Sequence, residues 1–215
     1  MHVIYTIPGL GTTKELFKNI SVPNFQVKVM EWPEPKTGWN LKDYAREFVE
    51  QIDTTSPVNL MGVSFGGMLC AEIADMIPVN KIVLISSCKN RTELPANIRI
   101  LKTLPVQKLV TDSLYRSLAS KLNWIVGFEK DYLPEFLRML EQMPKNYFKY
   151  CVDMIIHWDK KSNTQKIYHI HGNADNLLSH TSIKEYQLIE HGNHAMIVYK
   201  AQEINSLLNT YFNGL

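Results

Sequence analysis

The sequence has few cysteines, no long apolar run and no block of like charge, and each absence excludes a class of protein. Its three cysteines, Cys70, Cys88 and Cys151, are an odd number at wide and irregular spacing. They predict neither a disulfide framework nor a thiolate zinc site, and we expect reduced, buried thiols. No apolar run approaches the roughly 18 residues that a membrane-spanning helix needs, so we expect no membrane partner.

The sequence also lacks a cluster of charges of one sign. The 23 basic and 21 acidic residues are spread along 215 positions, with a formal net charge of +2. Without a lysine or arginine block to follow a phosphate backbone, we expect no nucleic-acid partner. The N-terminal segment MHVIYTIPG lacks the basic region, apolar core and cleavage site of a signal peptide, which predicts a cytoplasmic protein.

Short runs rich in β-branched residues recur along the chain. They predict six strands: Val3–Ile7, Gln26–Met30, Val58–Met61, Lys81–Ile85, Ile167–Ile170 and Glu185–Ile189. Most of these runs are apolar almost throughout, which is typical of strands buried on both faces of a parallel sheet. Between them, apolar residues recur with helical spacing from Leu41 to Ile52, from Phe65 to Met76 and from Ile197 to Tyr211. The alternation predicts a doubly wound α/β fold with a mostly parallel sheet of about six strands.

Residues 88–163 interrupt this alternation. They lie between two predicted strands and are far more numerous than the two to six residues of a usual connection. We therefore predict one domain over residues 1–215 that carries a helical insertion at 88–163, before the fifth strand. One helix of the insertion is indicated by a shared apolar face: Phe148, Cys151, Val152, Ile155 and Ile156. We interpret the insertion as a lid, and the alternative is a helical excursion that only covers the sheet.

The residues Gly62-Val63-Ser64-Phe65-Gly66 form a G-x-S-x-G motif between a predicted strand and a predicted helix. A sharp turn at that junction exposes the serine hydroxyl above the edge of the sheet, and the flanking glycines let strand and helix approach closely. Ser64 is therefore a candidate nucleophile, although a serine in a structural turn gives the same pattern.

A serine hydroxyl needs a base to take its proton and an acid to orient that base. Asp175 follows the predicted strand IYHIHG, and His194 follows EYQLIE within HGNHAMI, in the order serine, acid, histidine. His191 competes with His194 as the base, but it lies directly at the strand end, where sheet pairing fixes a side chain. His169 and His171 alternate on one strand face, and without a further ligand motif they indicate a core histidine and a loop residue rather than a metal site.

An oxyanion hole needs one backbone N–H from the residue after the nucleophile and one from the loop after an early strand. Phe65 provides the first. The segment IPGLGTT provides the second, with Leu10 as the preferred donor and Gly11 as the second choice. Thr12 and Glu15 have the spacing of a helix capping box that would fix this loop.

With these motifs in their order, the sequence resembles the α/β-hydrolase family, in its lid-bearing, esterase-like group, over nearly the whole chain. It departs from the family pattern at Pro8-Gly9, where the family usually has His-Gly, and at Ser179, near a usual proline. The family usually has eight strands, and the first two are missing here, so the resemblance is to a form shortened at the N-terminus.

The resemblance implies acyl transfer. Ser64 attacks an ester-like carbonyl, His194 moves the proton, Asp175 orients His194, and water releases the acyl-enzyme without any cofactor or metal. The partner implied is a small or medium acyl substrate, a carboxylic ester or thioester. The same fold also serves weakly catalytic or non-catalytic ligand-binding proteins, and that alternative stays open.

Six aromatic residues of the insertion either line an acyl pocket or belong to the plain core: Trp124, Phe128, Tyr132, Tyr147, Tyr150 and Trp158.

Overall fold

The computed structural model describes residues 2–103, 111–121 and 126–214. In this part of the chain one sheet contains six strands: β1 (His2–Ile7), β2 (Phe25–Val29), β3 (Asn59–Val63), β4 (Lys81–Ile85), β5 (Tyr168–Gly172) and β6 (Gln187–Ile189). Their spatial order is β2-β1-β3-β4-β5-β6, and all neighbouring pairs are parallel. The predicted α/β class and six-stranded parallel sheet are confirmed, with strand ends shifted by one or two residues.

Burial along the strands follows their place in the sheet. The central strand β3 is buried at every residue and β4 at all but its first. In the edge strand β2, Phe25, Val27 and Val29 are partly buried and alternate with exposed Gln26 and Lys28. The apolar runs therefore mark strands covered on both faces, and the alternating run marks the edge.

Eight α-helices lie in the described part of the chain: α1 (Leu41–Val49), α2 (Phe65–Ile73), α3 (Ala96–Ile100), α4 (Asp112–Lys121), α5 (Leu133–Glu141), α6 (Tyr147–His157), α7 (Met196–Tyr199) and α8 (Ala201–Asn213). Helix α1 begins at a capping box in which Asn40 and Asp43 exchange side-chain hydrogen bonds to backbone N–H groups. The predicted continuous helix from Ile197 to Tyr211 is wrong, because Lys200 (φ −114°, ψ 25°) divides it. Apolar periodicity continues across a one-residue break, so the pattern does not detect it.

The segment between β4 and β5 contains α3 to α6, as its helical pattern predicted. Residues 104–110 and 122–125, with Trp124 among them, lie outside the described residues. The C-terminal end of the segment between β4 and β5 is attached to α2 and to the turn after it by two polar contacts. Trp158 donates its indole N–H to Glu72 at 2.7 Å, and Lys160 pairs with Asp75. Movement of the segment as a lid stays a prediction.

The prediction about the cysteines is confirmed. Cys70, Cys88 and Cys151 are buried and free, as predicted. Among the described residues, no helix combines the length and apolar character needed to span a membrane. The same residues contain no cluster of three or more histidine, cysteine or acidic side chains arranged for a metal ion.

Candidate active site

Ser64 occupies the turn between β3 and α2 in a strained backbone conformation, with φ 52° and ψ −119°. Backbone in this region of positive φ costs a non-glycine residue about 1–3 kcal/mol, and neighbouring contacts must hold it there. Two of them do so. The Ser64 N–H donates to the Ile85 carbonyl at 3.0 Å, and the Ser87 hydroxyl donates to the Ser64 carbonyl at 2.6 Å.

The glycines on either side of Ser64 are required by space. A Cβ atom added to Gly66 would collide with the carbonyl oxygens of Ile7 and Pro8, at the end of β1. A Cβ atom on Gly62 would collide with the backbone of Gly66. The motif therefore brings three backbone segments together beneath the serine, as the G-x-S-x-G spacing predicted.

Ser64, His194 and Asp175 form one continuous hydrogen-bonded chain. His194 Nε2 lies 2.9 Å from Ser64 Oγ, and His194 Nδ1 lies 2.8 Å from Asp175 Oδ2. The other carboxylate oxygen of Asp175 accepts hydrogen bonds from the backbone N–H groups of Leu177 (2.9 Å) and Leu178 (2.8 Å). The loops after β3, β5 and β6 thus bring together three residues that are far apart in sequence.

The charge of Asp175 determines the tautomer of His194. Burial opposes ionisation of this carboxyl, but His194 and the Leu178 N–H outweigh that effect and hold the pKa of Asp175 below its usual value. An ionised carboxylate only accepts hydrogen bonds, so His194 Nδ1 carries the proton that faces it. His194 Nε2 then presents its lone pair to the Ser64 hydroxyl, which is the arrangement a general base needs.

A second histidine lies behind Asp175. His171 Nε2 is 2.7 Å from the Leu178 carbonyl oxygen and 3.4 Å from Asp175 Oδ2, so this nitrogen carries a hydrogen. His171 Nδ1 is 3.3 Å from His169 Nε2, and both rings are buried. The prediction of a core histidine is confirmed for His169, whereas His171 is a buried residue of β5 rather than a loop residue. The contact of His171 with Asp175 was not foreseen, because the sequence does not indicate how the loop after β5 folds back.

We expect the buried His169 to make the fold sensitive to acid. Burial, with smaller contributions from His171 and Lys89, lowers the pKa of His169 well below its usual value. The unfolded chain protonates this histidine below about pH 6.5, whereas the folded chain does not. The free energy of unfolding should therefore fall as the pH falls below about 6.5, by up to about 1.4 kcal/mol per pH unit from this residue.

Urea denaturation of the wild type and His169→Gln between about pH 7.5 and pH 5 measures this contribution. The wild type should lose stability more steeply than the variant by about that slope. Equal slopes would show that His169 is protonated in the folded protein as readily as in the unfolded chain.

His191, the competing base, lies away from the serine. It is exposed in the turn after β6 at φ 57°, and its backbone N–H donates to the Asn173 side chain at 2.7 Å. The expectation that sheet pairing fixes its side chain is wrong, because β6 ends at Ile189 and the left-handed turn directs His191 outward. Three residues further on, His194 is buried beside Ser64.

The loop after β1 passes directly over Ser64, since a Cβ atom on Gly9 would lie 3.6 Å from the Ser64 Cβ. The N–H and the hydroxyl of Thr12 both donate to the Gly9 carbonyl, at 3.0 and 2.8 Å. The predicted capping box of Thr12 and Glu15 is therefore wrong. The short helix Lys14–Phe17 follows Thr13 without a side-chain cap, because the Thr12 hydroxyl closes the loop instead.

The two candidates for the second oxyanion donor have different surroundings. Leu10 lines a cavity beside Ser64 together with Phe65. Gly11, at φ 75°, packs so closely against α5 and α6 that an added Cβ would meet Leu140 and Phe148. This placement favours Leu10 over Gly11, and the role of both N–H groups stays a prediction.

Trp32, which the sequence did not single out, contacts both segments that carry the candidate donors. Its indole N–H donates to the Thr12 carbonyl at 2.8 Å. Its ring also stacks on Phe65, with ring centroids 5.9 Å apart and an interplanar angle of 15°. A single tryptophan after an edge strand gives no sequence signal for this position.

No family model and no curated protein matches this sequence. Solved structures do match it. An esterase from Exiguobacterium antarcticum has a TM-score of 0.75 and 14% identity, over 98% of this chain and 91% of that one. The enol-lactonase from Burkholderia xenovorans has a TM-score of 0.71 and 13% identity, over 99% and 91%. ClbQ from the colibactin NRPS/PKS pathway has a TM-score of 0.66 and 15% identity, over 100% and 98%.

The chain has the α/β-hydrolase fold. Six parallel strands in the order found here, together with nearly complete coverage of these neighbours, confirm the fold to which the resemblance pointed. Identities this low establish the architecture, and the activity must be argued from the site itself.

An apolar cavity of about 400 Å³ lies against Ser64 and His194. None of the described residues that line it is Asp, Glu, Lys or Arg. Several of its walls come from the segment between β4 and β5: Leu94, Ile98, Phe128, Val152, Ile155 and Ile156. The candidate nucleophile of this α/β-hydrolase fold thus lies in the wall of a largely apolar cavity.

Both alternatives for the aromatic residues of the insertion, cavity lining and plain core, are found in the structure. Of the aromatic residues named from the sequence, Phe128 lines the cavity, whereas Tyr147 and Trp158 are buried core residues. Tyr115 and Phe136 also line it, although neither was singled out. Trp124 lies outside the described residues. Helical spacing identifies the buried face of a helix, but it does not distinguish a face that packs on a neighbour from one that borders a cavity.

Proposed function

We propose that this protein is a serine hydrolase that cleaves a small or medium carboxylic ester or thioester through an acyl-enzyme on Ser64. One observation carries the proposal: the unbroken chain from Ser64 Oγ to His194 at 2.9 Å and from His194 to Asp175 at 2.8 Å, at the end of an apolar cavity. Each group has the partner that its role in acyl transfer requires.

In the acylation step, Ser64 Oγ bonds to the substrate carbonyl carbon while its proton passes to His194 Nε2. The carbonyl π electrons move to the oxygen, which becomes an oxyanion. When the carbonyl re-forms, the bond to the alcohol or thiol breaks, and the leaving group takes the proton from His194. Asp175 stabilises the transient imidazolium, because its buried carboxylate is held ionised beside Nδ1.

The oxyanion is stabilised by the backbone N–H groups of Leu10 and Phe65. Phe65 is the first residue of α2, where backbone N–H groups have no partner within the helix. The loop that carries Leu10 is held by the Thr12 hydrogen bonds to Gly9 and by the Trp32 hydrogen bond to Thr12. Such donors are effective because they are already oriented before charge develops.

In the deacylation step, His194 Nε2 takes a proton from water, and the resulting hydroxide attacks the acyl carbonyl. The second tetrahedral intermediate expels Ser64 Oγ, which regains its proton from His194, and a carboxylic acid leaves. The cycle consumes one water molecule and needs no cofactor.

The ligand-binding alternative has less support. A protein that only binds a ligand has no use for a strained serine backbone or for a buried carboxylate aligned with a histidine and a hydroxyl. Strain and perturbed ionisation of this kind concentrate at catalytic sites. Both features are present within one hydrogen-bonded chain here.

Labelling with a fluorophosphonate probe tests the proposal. The probe should form a single adduct located on Ser64 by mass spectrometry, because only an activated serine attacks it. His194→Ala should lower the labelling rate by at least about a hundredfold. The matched control Ser56→Ala, at an exposed serine, should label like the wild type. Folded protein that forms no adduct and turns over no ester would contradict the proposal and favour the ligand-binding alternative.

A further inference from the structure

The walls of the cavity indicate which acyl group the proposed hydrolase accepts. On α6, Val152, Ile155 and Ile156 face the cavity together, at the spacing of one helical face. Leu94 and Phe136 face it from outside α6. The space next to the nucleophile is therefore lined mainly by aliphatic and aromatic side chains.

Polar groups lie mainly at the catalytic end of the cavity. Ser64 and His194 bond to each other, and the Thr12 hydroxyl already donates to the Gly9 carbonyl. Among the described lining residues no side chain carries a permanent charge. A carboxylate or ammonium group on the acyl chain would thus lose its hydration without gaining an oppositely charged partner among the described lining residues, which is strongly unfavourable.

The cavity volume limits the length of the chain. A cavity of about 400 Å³ lies towards the lower end of the range of ligand pockets, which is roughly 300–1,000 Å³. A medium-length acyl chain should therefore occupy it, whereas a much longer chain should extend beyond it.

We infer that the substrate carries an uncharged, medium-length aliphatic acyl group that lies in this cavity while its carbonyl meets Ser64. This inference rests on the proposed function, because it assigns the cavity to the acyl part of the substrate. The acyl group is shared by oxygen esters and thioesters, and the cavity walls recognise it in both.

A series of p-nitrophenyl esters from acetate to palmitate tests the chain length. The value of kcat/KM should rise about fourfold per methylene from acetate towards octanoate, because each added methylene group moves from water into the apolar cavity in the transition state. It should fall again at palmitate, which exceeds the cavity. The octanoyl thioester of N-acetylcysteamine, compared with octanoate esters, shows which leaving group is preferred.

A matched pair of esters tests the absence of charge. Hexanoate and the monoester of adipic acid have equally long chains, but adipate ends in a carboxylate. The hexanoate ester should be preferred by at least about a hundredfold, because none of the described lining residues is a cation that could pair with that carboxylate.

Two substitutions at Val152 test the position of the chain. Val152→Phe fills the cavity and should lower the ratio of octanoate to acetate kcat/KM by at least about tenfold. Val152→Ala enlarges it and should move the optimum to longer chains. The control Lys149→Phe adds the same ring at an exposed position of α6 and should keep the wild-type ratio.

The outcomes separate the inference from the function. Suppose that Ser64 is labelled and the acetate ester is hydrolysed. If kcat/KM then does not rise with chain length, or if the adipate monoester is accepted as well as the hexanoate ester, the inference about the acyl group is wrong and the proposed hydrolase function stands. A ratio that neither Val152 variant changes also overturns it. If folded protein hydrolyses no ester or thioester and Ser64 is not labelled, the inference and the proposed function are both wrong.

Discussion

Replacing Ser64 by glycine should abolish ester turnover and leave a protein more stable than the alanine variant. Both variants lose the nucleophile, so kcat/KM should fall at least about ten-thousand-fold in each. Glycine, unlike alanine, adopts φ 52°, ψ −119° without a steric penalty. After allowance for the greater entropy of unfolded glycine, Ser64→Gly should have a free energy of unfolding about 1 kcal/mol above that of Ser64→Ala.

Urea unfolding of the two variants, with ester kinetics on the same preparations, measures both effects. The comparison is well matched because each variant also loses the hydrogen bond to His194. Alanine and glycine variants of equal stability would mean that the turn relaxes and that Ser64 stores no strain. Residual turnover within a hundredfold of the wild type would exclude Ser64 as the nucleophile.

The second large effect is expected for Asp175→Asn, which should lower kcat by about ten-thousand-fold. The Leu177 and Leu178 N–H groups bind one oxygen of Asp175, so they hold the amide oxygen of asparagine on that side. Its NH₂ group then faces His194 Nδ1, which must accept. The proton of His194 moves to Nε2, where it points at Ser64 and prevents proton transfer from the serine.

Steady-state kinetics with an ester substrate measure this loss, and fluorophosphonate labelling of the variant should slow in parallel. Glu203→Gln makes the same chemical change in an exposed ion pair with Lys200 and should leave kcat unchanged. A kcat for Asp175→Asn within tenfold of the wild type would mean that the carboxylate does not set the tautomer of His194.

Local sequence patterns predicted the parts of the site that depend on strand ends. Ser64, Asp175 and His194 each follow a strand, and strands of a parallel sheet all end at the same edge. Once the strands were identified, the proximity of these three residues followed from topology. The glycines around Ser64 were also predictable, because the strand-to-helix turn leaves no room for side chains.

Predictions about loop details were less successful, since several hydrogen-bond partners compete for each loop group. The spacing of Thr12 and Glu15 favours a capping box, but the Thr12 hydroxyl donates to Gly9 instead. His194 was preferred over His191 because His191 was expected to be fixed by sheet pairing, but the left-handed turn at His191 is what directs its side chain away. Trp32 reaches both Thr12 and Phe65 from a distant part of the chain, which no local pattern records.

The sequence by itself determined the class of fold, the order of strands and helices, and the three candidate residues on which the proposed serine hydrolase activity rests. Apolar periodicity and turn residues are local properties, so they can be recognised directly in the sequence. The tertiary structure alone decided how the loop after β1 is held, that His171 lies behind Asp175, and how large and how apolar the cavity is. These features arise where side chains from distant segments meet, and the shape of such a space depends on all of them at once.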